Sequence, residues 1–413
     1  MSAVTVQQRC ITVNGKKKIL LCASLFYFRI PREDWQQRMT DLRSCGYNCI
    51  DVYFPWNFHE LHPDDWHFEG MHDCAAFLEL AAKNDLYVIA RPGPYICSEW
   101  DGGALPAWLN DVCPVIRQNE SGYLQYLSRW LYRILPIIAN HEAGKGGSVV
   151  ALQLENELDF FACKEPGAYM EQLRVIARAS GITVPLIACA GECDVQGAGG
   201  TMEGVHPTFN AYCADNFPYL ECQLEHMRLL AARRDTPLMI TETNREHSLL
   251  KRELLSGARL ISPYNQVGGT DTEMTNGISN WASDPIRPLA LMATDYDFHS
   301  MLTVDGRKRA EALQGRLLGI LIESLGELLA EGEPVDCPVR VQCDFSTARY
   351  LAKTGEETGF YPAVKTRAGI LYGVTNTGDK DGRCRIKVED ADLSSLIPAE
   401  RTRIYPWQFS LEA

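Results

Sequence analysis

Short apolar runs that end in a polar or charged residue alternate along most of this chain with segments whose apolar positions recur every three or four residues. The first pattern predicts buried parallel strands and the second predicts helices that cover them. After a β-like entry, Arg9 to Val13 with a turn at Asn14-Gly15, the run Lys18 to Phe28 reads as a first strand. Pro31 to Cys45 then places Trp35, Met39 and Leu42 on one helical face and stops at Gly46. Strands are predicted over Asn48 to Phe54, Tyr87 to Arg91, Ser148 to Glu157, Pro185 to Ala190, Gly204 to Asn210, Leu238 to Thr243 and Leu260 to Asn265. Helices are predicted over Asp73 to Lys83, Gly122 to Asn140, Ala168 to Ser180, Pro218 to Ala232 and Arg307 to Ala330. Gly204 and Pro207 make the sixth strand the weakest in the series. The alternation predicts an α/β fold, a (β/α)8 TIM barrel, over residues 1–332.

Beyond Gly332-Glu333-Pro334 the apolar period falls to two, in Val339 to Cys343, Gly369 to Val374 and Arg383 to Val388. Residues 333–413 therefore read as a small C-terminal all-β domain, either compact in itself or part of a larger one.

Composition narrows the function classes. A formal net charge of −13 disfavours a nucleic-acid partner and suits a neutral or cationic substrate. No apolar run is long enough to span a bilayer, so no membrane partner is expected. The 15 cysteines are scattered without Cys-x-x-Cys spacing, which fits reduced thiols. With no secretory pattern at the N-terminus, a cytoplasmic setting is expected, and a homo-oligomer is compatible with the sequence. His59-Glu60-Leu61-His62 lacks the His-Glu-x-x-His spacing of a zinc helix, so neither metal nor cofactor is expected.

The chemistry lies where two apolar strands end in acid: Val149 to Glu157, closing in Glu155-Asn156-Glu157, and Pro237 to Glu242. A buried strand ending in a carboxylate is costly unless the carboxylate has a task. Two such strands can bring a pair of acids together at the carboxyl end of a barrel. Glu155 shares strand parity with Glu157, so either can supply the first acid. The segment Arg91 to Leu109, dense in Pro, Gly, aromatic residues and carboxylates, follows the third strand and suits a sugar ring, which needs both stacking faces and hydrogen-bond acceptors. Trp56, Trp100, Trp108 and Trp281 read either as such faces or as rim packing.

The segments Phe28 to Arg32, Asn48 to Glu60, Arg91 to Leu109, Gln153 to Glu157 and Gly268-Gly269-Thr270 resemble glycoside hydrolase family 35, the β-galactosidases. The resemblance covers roughly residues 10–330. It implies an exo-acting retaining β-galactosidase that removes terminal β-galactosyl residues by a two-glutamate double displacement. Carried onto this sequence, it makes Glu157 the acid/base, Glu242 the nucleophile and Asn156 the contact of the sugar 2-hydroxyl. Tyr53, Ser98, Glu99, Tyr264 and Tyr296 become the sugar-holding residues, and Glu155 a supporting acid. Phe26 stands where the family commonly has His, and Thr243 to Glu246 replace an aromatic cluster after the nucleophile. The same machinery acting on another β-glycoside, a glucosaminide or arabinoside, and a catalytically silent sugar-binding barrel are the alternatives.

Overall fold

The computed structural model describes residues 3–7, 9–271, 295–351, 355, 357–388 and 391–410. Eight parallel strands close into a barrel: β1 (Leu20–Ser24), β2 (Cys49–Tyr53), β3 (Tyr87–Arg91), β4 (Val149–Gln153), β5 (Leu186–Ala190), β6 (Val205–Ala211), β7 (Leu238–Thr243) and β8 (Ala258–Pro263). Their residues are almost all buried, as strands enclosed by side chains within and helices without must be. The surrounding helices are α1 (Trp35–Ser44), α2 (Cys74–Lys83), α3 (Ser121–Asn140), α4 (Pro166–Ala179), α5 (Leu220–Ala232), α6 (His247–Leu255) and α7 (Glu311–Glu331). Local chemistry sets their ends and faces. Asp73 caps α2 by accepting the Ala76 N–H at 3.0 Å. In α3, Tyr123, Leu127, Trp130, Leu131, Ile134, Leu135 and Ile138 form the buried stripe. Gly46, at φ +92°, lets the turn before β2 meet α7, where an added Cβ would come within 2.5 Å of the Gly319 Cα.

The three antiparallel strands Val4–Gln7, Cys10–Val13 and Lys16–Lys18 lie at the amino end of the barrel. Val6 and Ile11 point at Leu20, Ile89, Ala151, Ile187, Met239 and Leu260 and plug the interior from below. Chemistry is left to the opposite end.

The sequence reading and the structure differ in three instructive places. The first strand ends at Ser24, because Tyr27–Arg29 turn as a 3-10 helix with all three side chains buried. The fourth ends at Gln153: Glu155 and Glu157 have φ of 59° and 45°, so strand parity does not relate them. Between β7 and β8 stands α6, where the sequence reading placed no helix, while residues 191–204 cross from β5 to β6 in turns, as that reading had it.

After α7, Glu333–Val335, Ala363–Thr366, Gly369–Thr375 and Thr402–Trp407 form one antiparallel sheet, and Arg340–Cys343, Gly382–Val388 and Ala391–Ile397 form another. Tyr372, Val374, Cys384, Ile386 and Ile397 give this region its own small core, while Val364 and Leu371 join the core of the barrel.

Candidate active site

The carboxyl end of the barrel gathers a polar layer that only mutual pairing makes tolerable. Asp51 and Tyr53 alternate along β2 and so share its inward face. Asp51 accepts from the hydroxyls of Ser24 at 3.1 Å and Ser262 at 3.0 Å and from Arg91 Nη1 at 3.2 Å. Burial pushes the Asp51 carboxyl up, against the pull of the Arg91 guanidinium. Arg91, the last residue of β3, is itself buried beneath the Tyr53 ring, its guanidinium carbon 4.1 Å from the ring centroid. Its Nη2 donates to Asn156 Oδ1 at 2.5 Å and to Glu242 Oε1. Burial works against that cation, but Tyr53, Glu242 and Asp51 hold its proton more tightly than usual.

Glu242, near the end of β7, accepts from four donors. Tyr53 Oη (2.9 Å) and Arg91 reach Oε1, while Asn210 Nδ2 (3.1 Å) and Tyr212 Oη (3.0 Å) reach Oε2. Its orientation is therefore fixed from both sides. Glu157 has far fewer partners. Asn210 Nδ2 donates to its Oε1 at 2.7 Å and Asn156 Nδ2 to its Oε2 at 3.4 Å. Burial, then the nearby Glu242, pushes the Glu157 carboxyl up to about 7. One amide nitrogen thus serves both acids. Because those two contacts are 2.7 and 3.1 Å, the bridged oxygens can be no farther apart than their sum, under about 6 Å.

Glu155 faces elsewhere. Arg117 Nη2 binds its Oε2 at 2.7 Å, Tyr169 Oη donates at 2.9 Å, and it accepts the Asn156 N–H at 3.0 Å. It clamps the loop that carries Glu157 to α4 and to the segment before α3.

Cys97, Ser98 and Glu99 follow one another in left-handed geometry, with φ of 57°, 60° and 41°, and curl the loop after β3 back over the barrel. The buried Arg29 holds them there, donating to Ser98 Oγ at 2.9 Å and to the Ser98 carbonyl at 2.7 Å while pairing with Asp271 at 2.7 Å. Tyr264, directly after β8, donates to Ser98 Oγ at 3.0 Å and shares a 2.6 Å hydrogen bond with Tyr296, whose hydroxyl reaches Glu99. Burial raises the Glu99 carboxyl as well. Phe26 lies fully buried among the rings of Tyr53, Tyr264 and Tyr296, at centroid distances of 5.3, 5.7 and 5.8 Å.

Glu157, Glu242, Tyr53, Asn156, Ser98, Glu99, Tyr264 and Tyr296 are thereby joined through one continuous side-chain neighbourhood. Arg91, Asn210, Tyr212 and Asp51 belong to it too, although the sequence did not single them out. Trp56 and Trp100 are buried and tied to Glu60 at 2.7 Å and Asn57 at 2.8 Å, and Trp281 lies outside the described residues. His59 is buried, its nitrogens engaged by Tyr27 Oη at 2.6 Å and the His67 carbonyl at 2.7 Å. None of the fifteen cysteines, all among the described residues, is in a disulfide.

The family model described as glycosyl hydrolases family 35 matches residues 10–311. The chain belongs to that family. A β-galactosidase of Mus musculus is 30% identical over 310 residues, covering 71% of this chain and 46% of the relative. The β-galactosidase-1-like protein 3 of Homo sapiens is 30% identical over 314 residues, covering 71% and 45%. The chain thus spans about half the length of these curated family members. Among solved structures, the β-galactosidase of the psychrophilic Marinomonas ef1 aligns with a TM-score of 0.52 at 14% identity, over 76% of this chain and 62% of that one. The exo-β-1,4-mannosidase Op5Man5 from Opitutaceae bacterium strain TAV5 aligns at 0.55 and 12% identity, over 75% and 60%. These two likenesses concern the fold of this family member alone.

Proposed function

We propose that the chain is an exo-acting retaining β-galactosidase. The observation that carries the reading is the Asn210 amide shared by two carboxylates in unlike surroundings. Retaining glycosidases set their acids about 5 to 5.5 Å apart, and inverting ones roughly 6.5 to 9.5 Å. Oxygens held under about 6 Å apart by one nitrogen favour the former. The unlike surroundings favour unlike roles.

In the first step a Glu242 oxygen attacks the anomeric carbon. The bond from that carbon to the leaving oxygen breaks, and the leaving oxygen takes the Glu157 proton. In the second step Glu157, now a carboxylate, removes a proton from water as that water attacks the anomeric carbon and releases Glu242. Asn156, aligned by Arg91 and by Gln153 Nε2 at 3.2 Å, meets the sugar 2-hydroxyl. Tyr53 steadies the nucleophile. Glu99, Tyr264 and Tyr296 accept and donate to the sugar hydroxyls, and Ser98 fixes Tyr264. This linked wall, backed by Arg29, closes one side of the site and so favours a chain end over an internal sugar.

A panel of 4-nitrophenyl β-galactoside, β-glucosaminide, β-arabinoside and β-glucoside checks the reading. The β-galactoside should have the highest kcat/KM, with the β-anomer released first by NMR. A larger kcat/KM for another sugar would replace the substrate, and release of the α-anomer would overturn the mechanism. Galactose binding by calorimetry with no turnover of any glycoside would leave a silent binding barrel.

A further inference from the structure

Phe160 stands out at the rim of the site because it is 55% exposed yet firmly seated. Its backbone N–H donates to the Glu157 carbonyl at 3.0 Å, so it shares a turn with the acid. On its other side the ring rests on Gly191, in the turns that stand between β5 and β6. A Cβ added at Gly191 would lie 2.1 Å from Phe160 Cε2, so only glycine leaves the ring this seat. Asp159 fastens the two loops by accepting the N–H groups of Gly191 at 3.0 Å and Glu192 at 2.9 Å. The phenyl ring is therefore braced by the Gly191 backbone, and much of it remains open.

Position gives that open face a meaning. In the reaction proposed above, on which this inference rests, Glu157 protonates the leaving oxygen, so the leaving group departs past the loop that carries Glu157. The sugar-holding wall of Glu99, Tyr264 and Tyr296 follows β3 and β8 and is tied through Ser98 to Arg29 after β1, whereas Phe160 sits between the loops after β4 and β5. Tyr212, after β6, is 43% exposed with its hydroxyl on Glu242 at 3.0 Å, so a second aromatic ring reaches the opening beside the nucleophile. Isolated exposed apolar residues are common and need no role. A rigidly seated ring one turn from the acid is better placed than most.

We infer that Phe160, seated on Gly191, is the stacking platform for a ring-shaped leaving group. Such a group presents a flat C–H or π face to the phenyl ring. The platform determines the leaving group and leaves the choice of glycone to the opposite wall.

Three substrates with one glycone test this: phenyl β-galactoside, β-galactosyl-(1→4)-glucose and β-galactosyl fluoride, which has no ring in its leaving group. The readout is kcat/KM for each ring-bearing substrate divided by that for the fluoride. For Phe160→Ala that ratio should fall roughly three- to tenfold, mainly through KM, and Phe160→Tyr should restore it. A fall for the disaccharide alone would assign the platform to sugar rings, and a fall for the phenyl glycoside alone would assign it to aryl rings. An unchanged ratio for both, or failure of Phe160→Tyr to restore it, would overturn the inference. If the wild-type chain turns over none of the three, the glycosidase reading fails first and the platform with it. Turnover with an unchanged ratio defeats the platform alone.

Discussion

At the scale of single residues, the two glutamates of the site have unequal surroundings, on which the proposed mechanism rests. Glu242 is gripped by four donors, whereas Glu157 has one short hydrogen bond and is pushed up to about 7 by burial and by its neighbour. An acid must be protonated to donate, so kcat/KM for an aryl β-galactoside should fall as pH rises through about 7. In Glu157→Ala this alkaline limb should vanish, activity should drop most for poor leaving groups, and azide should restore part of it. A limb that persists in the variant would remove Glu157 from the role. Much of this was legible in the sequence, because acid at the end of a buried apolar strand is conspicuous. Arg91 ends its strand in the same anomalous way and carries the same signal. Asn210 and Tyr212 were hidden, since Gly204 and Pro207 blur the strand that presents them and an uncharged amide gives no warning of its two partners. Glu155 could not be separated from Glu157 by spacing. Left-handed backbone at both residues, which sequence periodicity does not report, turns them toward different partners.

At the scale of elements, β7 and α6 are tied by a buried acid behind Glu242. Thr243 Oγ1 lies 2.6 Å from Glu253 Oε1 and 3.3 Å from the Ala211 carbonyl. Glu253 is fully buried, and burial pushes its carboxyl up to about 8, against the effects of Thr243 and Arg252. The Thr243 hydroxyl donates to Glu253 and also lies within reach of the Ala211 carbonyl, which joins α6, β7 and β6. The sign of the linkage follows. With the folded pKa above the unfolded one, the stabilisation is full below about 4.5 and is lost as pH rises through about 8. Glu253→Gln keeps an acceptor for Thr243 and cannot ionise. Its melting temperature should therefore fall less between pH 5 and pH 8 than that of the wild type, by differential scanning calorimetry at roughly one-unit steps. Parallel melting curves would show that Glu253 is not the titrating group. The strand series itself was readable from periodicity. The glycines at 191, 197, 199 and 200 break helical periodicity between β5 and β6, and Gly191 makes the seat for Phe160, whereas α6 was not legible because a helix buried on nearly every side shows no polar face.

At the scale of the whole molecule, the barrel places every element of the site at one end and plugs the other with the N-terminal strands. The C-terminal sheets lean on α6 and α7. A Cβ added at Gly373 would meet Leu255, and Arg401 pairs with Glu246 at 3.0 Å. Their alternating pattern was visible for three strands, but Ala363–Thr366 and Thr402–Trp407, which pair to either side of Gly369–Thr375, were not, being short or interrupted by proline. In the proposed double displacement Glu242 becomes covalently bonded to the sugar. Incubation with 2,4-dinitrophenyl 2-deoxy-2-fluoro-β-galactoside, which forms the intermediate quickly and releases it slowly, followed by digestion and mass spectrometry of the peptides, measures that directly. One fluorosugar per chain is expected, on Glu242, lost on addition of a galactosyl acceptor. A fluorosugar on Glu157 or Glu155, or steady turnover of β-galactosides with no labelled peptide, would contradict it.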